Sequence, residues 1–127
     1  MKYLKTIFHI LNIVLIIFYL FPGSILGCFF FNDCQIQPQI TRDFIISSNH
    51  FYAFGLLAFI GLIYQKSKKI MFFYLIFLSI FLELMHYLIP NRSFEYQDLL
   101  GNLFGVTISI VIITVSYTHL RAHETSQ

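Results

Sequence analysis

The side chains best suited to chemistry stand near the ends of long apolar segments, and six of them form the candidate site: His50, Glu83, His86, Arg92, Asp98 and Asn102. Histidine and carboxylic acid groups exchange protons near neutral pH, so the two histidines and the glutamate are the candidate catalytic acid and base. An arginine fork binds phosphate or carboxylate through several donors, which makes Arg92 the candidate anion-binding group. Asp98 and Asn102 are expected to orient Arg92 or the bound ligand.

The rest of the chain must hold these residues in a membrane. Of 127 residues, 57% are hydrophobic and only 11% are charged, whereas a soluble domain carries about 25% charged residues. A soluble fold of this size hides only about two-thirds of its surface, which is too little for 16 Phe and 8 Tyr beside long Ile and Leu runs. The composition excludes an ordinary soluble domain, a disordered chain and a nucleic-acid-binding protein, and it predicts an integral membrane protein.

Four continuous apolar segments predict four membrane spans, at residues 4–21, 48–64, 70–89 and 98–115. A helix needs about 20 apolar residues to cross the hydrocarbon core. Apolar residues that run continuously, without alternation, favour helices over a β-barrel. We therefore predict an all-α fold, an integral membrane four-helix bundle that occupies residues 1–115.

The basic residues predict the orientation of this bundle. All five lysines flank the first segment or separate the second from the third, whereas the opposite loops hold only Arg42 and Arg92. Because an excess of Lys and Arg marks the cytoplasmic side, both termini are predicted to be cytoplasmic. Residues 22–47 and 90–97 then face outward, and the candidate site lies near the outer surface.

Spacing indicates which residues of the site meet. Glu83 and His86 are three positions apart and share a helix face. Gly101 and Gly105 form a Gly-x-x-x-Gly pattern, which lets two membrane helices approach closely and so brings Asn102 against the third or second span. Because an acid inside a membrane is costly, Glu83 requires a polar partner or a water-filled vestibule.

Several of these residues also form a recognisable series of motifs. His50 opens one span and Glu83-Leu84-Met85-His86 ends the next; then come Pro90-Asn91-Arg92 and Asp98-Leu99-Leu100-Gly101-Asn102-Leu103-Phe104-Gly105. This series resembles the VanZ-like family of small bacterial membrane proteins, which is named for a teicoplanin-resistance protein. The resemblance implies a multi-pass protein of the bacterial cytoplasmic membrane that is associated with glycopeptide resistance.

The chain departs from the family pattern at two places. The family often has an Asp-Lys pair shortly before its histidine, where this chain has Ile46-Ser47. The family also commonly has Gln where this chain has His86, so the resemblance implies that position 86 needs a hydrogen-bonding group and not a charge.

Two functions compete. The first is an outward-facing polar site that binds or modifies an anionic cell-envelope headgroup, with membrane lipid or an envelope precursor as partner and without nucleic acid. The alternative is a structural or partner-binding membrane module whose polar residues only set the register of the helices. His9 and Asn12 in the first span are expected either to join helices in this way or to snorkel toward the membrane surface.

A metal site is a third, weaker interpretation. The Glu83-x-x-His86 spacing is one that metal-binding bundles use, and His50 and Asp98 would complete the ligand set. Since Gln is a poor substitute for a ligand histidine, we predict no metal and no cofactor.

The outer loop near the first span has two open interpretations. Cys28 and Cys34 are either joined in an oxidising compartment or two free thiols. Ile25-Leu26-Gly27-Cys28 also resembles a lipoprotein signal, which would remove the first span. The bulky Leu26 favours a span that is followed by an exposed turn.

The C-terminal tail differs in character from the rest of the chain. Residues 116–127, with the sequence SYTHLRAHETSQ, resemble translated adapter sequence appended to a truncated reading frame. The ionisable residues of this tail are therefore excluded from the predicted fold and site.

Overall fold

The computed structural model describes residues 2–39, 41–43, 46–65, 67–90 and 92–125. Within these ranges the fold is all-helical and without strands, with five helices: α1 (Lys2–Leu20), α2 (Ile25–Phe31), α3 (Ser48–Tyr64), α4 (Lys68–Met85) and α5 (Tyr96–Thr125). The predicted all-α class is confirmed, the four long helices follow the predicted order, and the membrane four-helix bundle stays a prediction. The short α2 is an addition to the predicted four.

Helix α2 lies in the predicted outer loop and is held by local contacts. The Ser24 hydroxyl accepts a hydrogen bond from the Gly27 amide at 3.0 Å, which caps the helix start. Asn32 ends the helix in the left-handed conformation at φ 53°. Cys28 and Cys34 form a disulfide that ties α2 to the segment after it, so the alternative of two free thiols is wrong. Seven residues are too few to give a helical pattern in the sequence, which is why α2 was not predicted.

The next two helices are bounded by capping side chains. Helix α3 has the predicted limits, and the Asp43 carboxylate accepts from the Ser48 amide at its start, at 2.9 Å. The Ser67 hydroxyl accepts from the Ile70 amide at the start of α4. Helix α4 ends four residues before the predicted limit at residue 89, because amides 86–88 each bond to the carbonyl three residues earlier and tighten the chain into turns.

Helix α5 continues past the predicted end of the fourth span at residue 115 and reaches Thr125. Asp98 lies in its first turn, where a carboxylate interacts favourably with the helix dipole. A helix through this region is compatible with native and with appended sequence, so the interpretation of residues 116–127 stays a prediction.

Two of the described helices are long and apolar enough to cross a membrane, Tyr3–Leu20 and Tyr96–His119. The third apolar helix, Ser48–Tyr64, is shorter. Large apolar side chains are exposed on the outside of the bundle, including Ile13 at 58% and Phe77 at 66%. These features indicate a membrane protein, whereas four spans and cytoplasmic termini stay predictions.

Small residues let α3 and α5 pack closely. A Cβ added at Gly105 would lie 2.7 Å from the Phe51 carbonyl oxygen and 2.8 Å from the Gly55 nitrogen. A Cβ at Gly101 would lie equally close to the backbone before α3, at 2.7 Å. One turn further along α5, the Ser109 hydroxyl donates to the Gly55 carbonyl at 2.8 Å. The backbone of α5 thus lies close to α3 at Gly101 and Gly105, and the structural role of these two glycines stays a prediction.

Helix α1 packs on α3 and α4. The Asn12 amide donates to the Tyr74 hydroxyl of α4 at 2.6 Å, which is the helix-joining role predicted for it. The His9 ring is exposed and packs near the Phe8 and Tyr64 rings. These contacts fix α1 so that its last turn, with Tyr19, meets the beginning of α3 and the end of α4.

Candidate functional site

Tyr19 is the centre of the polar site, and it joins all four long helices. The Asn102 amide of α5 donates to the Tyr19 hydroxyl at 2.6 Å. This hydroxyl also donates to Glu83 Oε2 of α4 at 3.2 Å and is hydrogen-bonded to His50 Nδ1 of α3. Tyr19, Glu83 and Asn102 are all buried. The structure thus brings three of the predicted site residues together around a fourth side chain that was not predicted.

The carboxylate of Glu83 is fully enclosed, with 0% of the residue exposed. Its Oε1 accepts from the Glu95 amide at 3.3 Å and lies 3.3 Å from His86 Nδ1. Within the described part of the chain, no lysine or arginine lies within ion-pair distance of it. A buried carboxylate needs hydrogen-bond partners, and Glu83 finds them inside the bundle, as its position in an apolar segment predicts.

The hydrogen bonds of His86 define where a proton must lie. The residue is 1% exposed, and Nε2 lies 3.0 Å from the Tyr19 carbonyl oxygen. A carbonyl can only accept, so Nε2 carries a hydrogen and donates. His86 Nδ1 and Glu83 Oε1 would repel each other if both were acceptors. One of these two atoms therefore carries a proton and donates it to the other. The ring also stacks on Tyr19, with centroids 4.9 Å apart.

His50 connects this network to Asp98. His50 Nε2 lies 3.6 Å from Asp98 Oδ1, and Nδ1 lies 3.2 Å from Asn102 Oδ1. Asp98 thus contacts His50, whereas Asn102 contacts both His50 and Tyr19. Neither Asp98 nor Asn102 forms a hydrogen bond or ion pair with Arg92 among the described contacts.

Arg92 binds the end of α1. Its Nε donates to the Phe21 carbonyl at 3.1 Å, and Nη2 donates to the Phe18 carbonyl at 2.8 Å. A cation at a helix C-terminus satisfies free carbonyls and the negative end of the dipole. Partial burial lowers the pKa of the guanidinium, against the opposing effect of Tyr19, Asp98 and Glu83, and an arginine still stays protonated. Nη1 has no acceptor among the described residues.

A cavity of about 460 Å³ opens beside the network, between α1 and α3. Tyr19, His50 and Arg92 line one end of it, and apolar side chains line most of the remainder. Glu83, His86, Asp98 and Asn102 are not in its lining. Of the three predicted acid and base residues, only His50 therefore reaches the cavity, and the catalytic assignment of all three stays a prediction.

The structure also bears on the metal alternative. His50, Glu83 and Asp98 each offer a ligand atom within 4.8 Å of the others. His86, which the sequence pattern pairs with Glu83 as a ligand, is not a member of this group. The Tyr19 hydroxyl bonds to two of the three side chains, which favours a hydrogen-bonded network over a metal centre.

Two contributors to the site escaped prediction for different reasons. Tyr19 is one of 8 Tyr in an aromatic-rich chain, and nothing in its local sequence distinguishes it from residues that face lipid. Ser109 continues the four-residue spacing of Gly101 and Gly105, so its contact with α3 could have been predicted from that spacing.

A protein-family comparison matches residues 3–117 to the family described as VanZ/LLP1. The chain belongs to the VanZ/LLP1 family. The resemblance drawn from the motifs is thereby confirmed over nearly the whole chain. No curated protein and no solved structure matched the chain. In this VanZ/LLP1 protein, the motif residues that lie far apart in sequence belong to one network around Tyr19, with Arg92 beside it at the end of α1.

Proposed function

We propose that this VanZ/LLP1 protein binds an anionic cell-envelope headgroup at its outer polar site and acts in resistance to teicoplanin-type glycopeptides. One observation carries the proposal. The half-buried Arg92 lies with His50 and Tyr19 at one end of a cavity whose described lining contains no Asp or Glu. A protonated and partly dehydrated guanidinium in a described lining without acids favours phosphate or carboxylate ligands, although Asp98 and Glu83 lie near enough to raise its pKa.

The division of roles within the site follows from access to the cavity. Arg92 keeps its charge while two of its nitrogens hold α1. Since no described residue accepts from Nη1, we assign this nitrogen to the ligand. If the headgroup is modified, His50 is the acid or base that contacts it, supported by Asp98. Glu83 and His86, which are buried behind Tyr19, act as positioning residues.

The proposed location is the bacterial cytoplasmic membrane, crossed several times, with the site on the outer side. The separation of lysines from the polar site supports this orientation. The disulfide between Cys28 and Cys34 supports it independently, because disulfides persist in oxidising compartments.

The test is a resistance assay in a teicoplanin-susceptible bacterium. We expect the wild-type chain to protect the cells and Arg92→Gln to abolish protection at unchanged membrane abundance. Arg42→Gln, which removes an exposed arginine from the same predicted side, is the matched control and should protect normally. Normal protection by Arg92→Gln, or no protection by the wild type, would end this proposal.

The structural-module alternative has its own support, since the imidazole, amide and carboxylate groups of the network bond to one another. In that case Asn102→Ala and Asp98→Ala lower protection only in proportion to the amount of folded protein. Protection measured per molecule distinguishes the two functions. Under the binding proposal it falls for Arg92→Gln, and under the alternative it stays constant for every variant.

A further inference from the structure

We infer that the anion is borne by a membrane lipid, and that a hydrocarbon chain of this lipid occupies the cavity between α1 and α3. The inference rests on the proposed headgroup site, because it assigns the lipid's phosphate to Arg92. It goes further in naming the ligand class, a phosphate-bearing lipid in place of a water-soluble anion.

The walls of the cavity have the form expected for a hydrocarbon chain that lies along two helices. Helix α1 contributes Leu11, Val14, Leu15 and Phe18. These are positions i, i+3, i+4 and i+7, which form one stripe. Helix α3 contributes a matching stripe of Ala53, Leu56 and Leu57. At 1.5 Å per residue, the α1 stripe rises by about 10 Å and the α3 stripe by about 6 Å, which is the length of part of one acyl chain.

The polarity of the cavity changes from one end to the other. Its apolar stripes end at Tyr19, His50 and Arg92, where α1 finishes and α3 begins. The only charged residue in the described lining is Arg92. A molecule that matches both ends has an uncharged hydrocarbon portion and a negative head.

A polar segment borders the cavity near this head end. Gln37, Pro38 and Gln39 line it, and the Asn49 amide of α3 holds the segment by donating to the Pro38 carbonyl at 2.6 Å. The Gln39 amide donates to Asp43 Oδ2 at 3.2 Å. Gln37 carries a second amide, and such a group can donate to phosphate oxygens.

The size of the cavity argues against a second protein chain as occupant. A helix with its side chains is about 10–12 Å across. A volume of about 460 Å³ that extends along two helical turns holds an extended chain and is too narrow for a helix. Neighbouring lipid therefore fits, whereas a helix of a second copy does not.

The test compares three ligands by native mass spectrometry of the full-length protein released from detergent micelles. Phosphatidic acid carries both chains and phosphate, diacylglycerol carries the chains alone, and glycerol 3-phosphate carries the phosphate alone. We expect wild-type protein to retain roughly tenfold or more phosphatidic acid than either diacylglycerol or glycerol 3-phosphate. One charged hydrogen bond to the phosphate strengthens binding by about a factor of ten, and the burial of two methylene groups does so by about the same factor.

The variants separate the two ends of the cavity. Arg92→Gln removes the cation, whereas Leu56→Trp fills the apolar part from α3 and Val14→Trp fills it from α1. Phe77→Trp is the control, because Phe77 is an exposed apolar residue of α4 outside the cavity. A helical circular dichroism spectrum and an intact disulfide show that each variant is folded. Two cavity-filling variants are used so that the test still holds if one of them does not fold.

The inference predicts loss of phosphatidic acid in Arg92→Gln and in both filling variants, with retention in Phe77→Trp. Loss in Arg92→Gln alone would overturn the chain-binding inference and leave the headgroup proposal standing. Loss in the filling variants alone would remove Arg92 as the headgroup ligand and overturn both. A protein dimer that disappears in Leu56→Trp would identify a second copy as the occupant and overturn the inference.

Discussion

At the residue scale, the site depends on groups that both donate and accept hydrogen bonds. The Tyr19 hydroxyl accepts from Asn102 and donates toward Glu83, while it also contacts His50. Such a group links the Asn102 donor of α5 to the Glu83 acceptor of α4. In an apolar environment an unpaired partner costs the free energy of its desolvation, so the network specifies how the helices meet.

Removal of the Tyr19 hydroxyl tests this role. Tyr19→Phe leaves the Asn102 amide without its acceptor, so we expect the free energy of unfolding to fall by about 1–3 kcal/mol. The measurement is reversible unfolding in mixed detergent micelles. Tyr87→Phe is the control, because Tyr87 is 69% exposed. Its ring stacks on Phe94, and a phenylalanine at position 87 would preserve this contact. Equal stability of wild type and Tyr19→Phe would contradict the central role of Tyr19.

A second test asks whether position 86 needs a hydrogen-bonding side chain. Glutamine has an amide that can donate to the Glu83 carboxylate, whereas leucine has no polar group. We expect His86→Gln to keep the free energy of unfolding within about 1 kcal/mol of wild type and His86→Leu to lower it by about 1–3 kcal/mol. The same unfolding measurement applies. A large loss in both variants would mean that the imidazole ring itself, through its stacking on Tyr19, is required.

At the element scale, one face of α5 consists of small residues that let its backbone touch α3. Gly101, Gly105 and Ser109 recur every four residues on this face. In lipid the attraction between helices comes from close packing and interhelical hydrogen bonds, because burial of apolar surface contributes little there. This contact therefore determines how near Asn102 of α5 comes to His50 of α3, and with it the geometry of the site.

Two alanine substitutions across this contact should differ in sign. Gly105→Ala sets a Cβ against the Phe51 and Gly55 backbones at under 3 Å, so we expect a loss of about 1–3 kcal/mol in the free energy of unfolding. Gly55→Ala, on the facing helix, meets its nearest atom at 3.8 Å. It should be neutral or stabilising by up to about 1 kcal/mol, because alanine favours helix. Equal losses in both variants would contradict the assigned contact.

The sequence predicts the helices and the motif residues but not the hydrogen bonds that join them. The predicted limits of the second span coincide with those of α3, because charged and polar residues border its apolar segment on both sides. The spacing of Gly101 and Gly105 predicted the α5 contact, because close approach requires small residues wherever it occurs. The partners of Asp98, Asn102 and Arg92 were not predictable, since hydrogen bonds between helices depend on helix rotation, which composition does not encode.

At the scale of the whole molecule, the two ends of the bundle differ in chemistry. Lys2 and Lys5 lie in the first turns of α1, Lys68 and Lys69 lie in the first turn of α4, and Lys66 precedes α4 in the sequence. The disulfide and Arg92 accompany the opposite end, where α1 finishes. This asymmetry supports the proposed orientation in the membrane, because basic loops remain in the cytoplasm and disulfides form outside it.

The orientation can be measured with single cysteines in a Cys28→Ser, Cys34→Ser background, which removes both cysteines of the chain. Ser93→Cys lies in the loop before α5, and Ser67→Cys lies at the start of α4. In intact spheroplasts, a membrane-impermeant maleimide should label Ser93→Cys and reach Ser67→Cys only after permeabilisation. Because the headgroup proposal requires Arg92 to face the envelope, the reverse labelling pattern would remove its ligand from reach even if every contact in the network is correct.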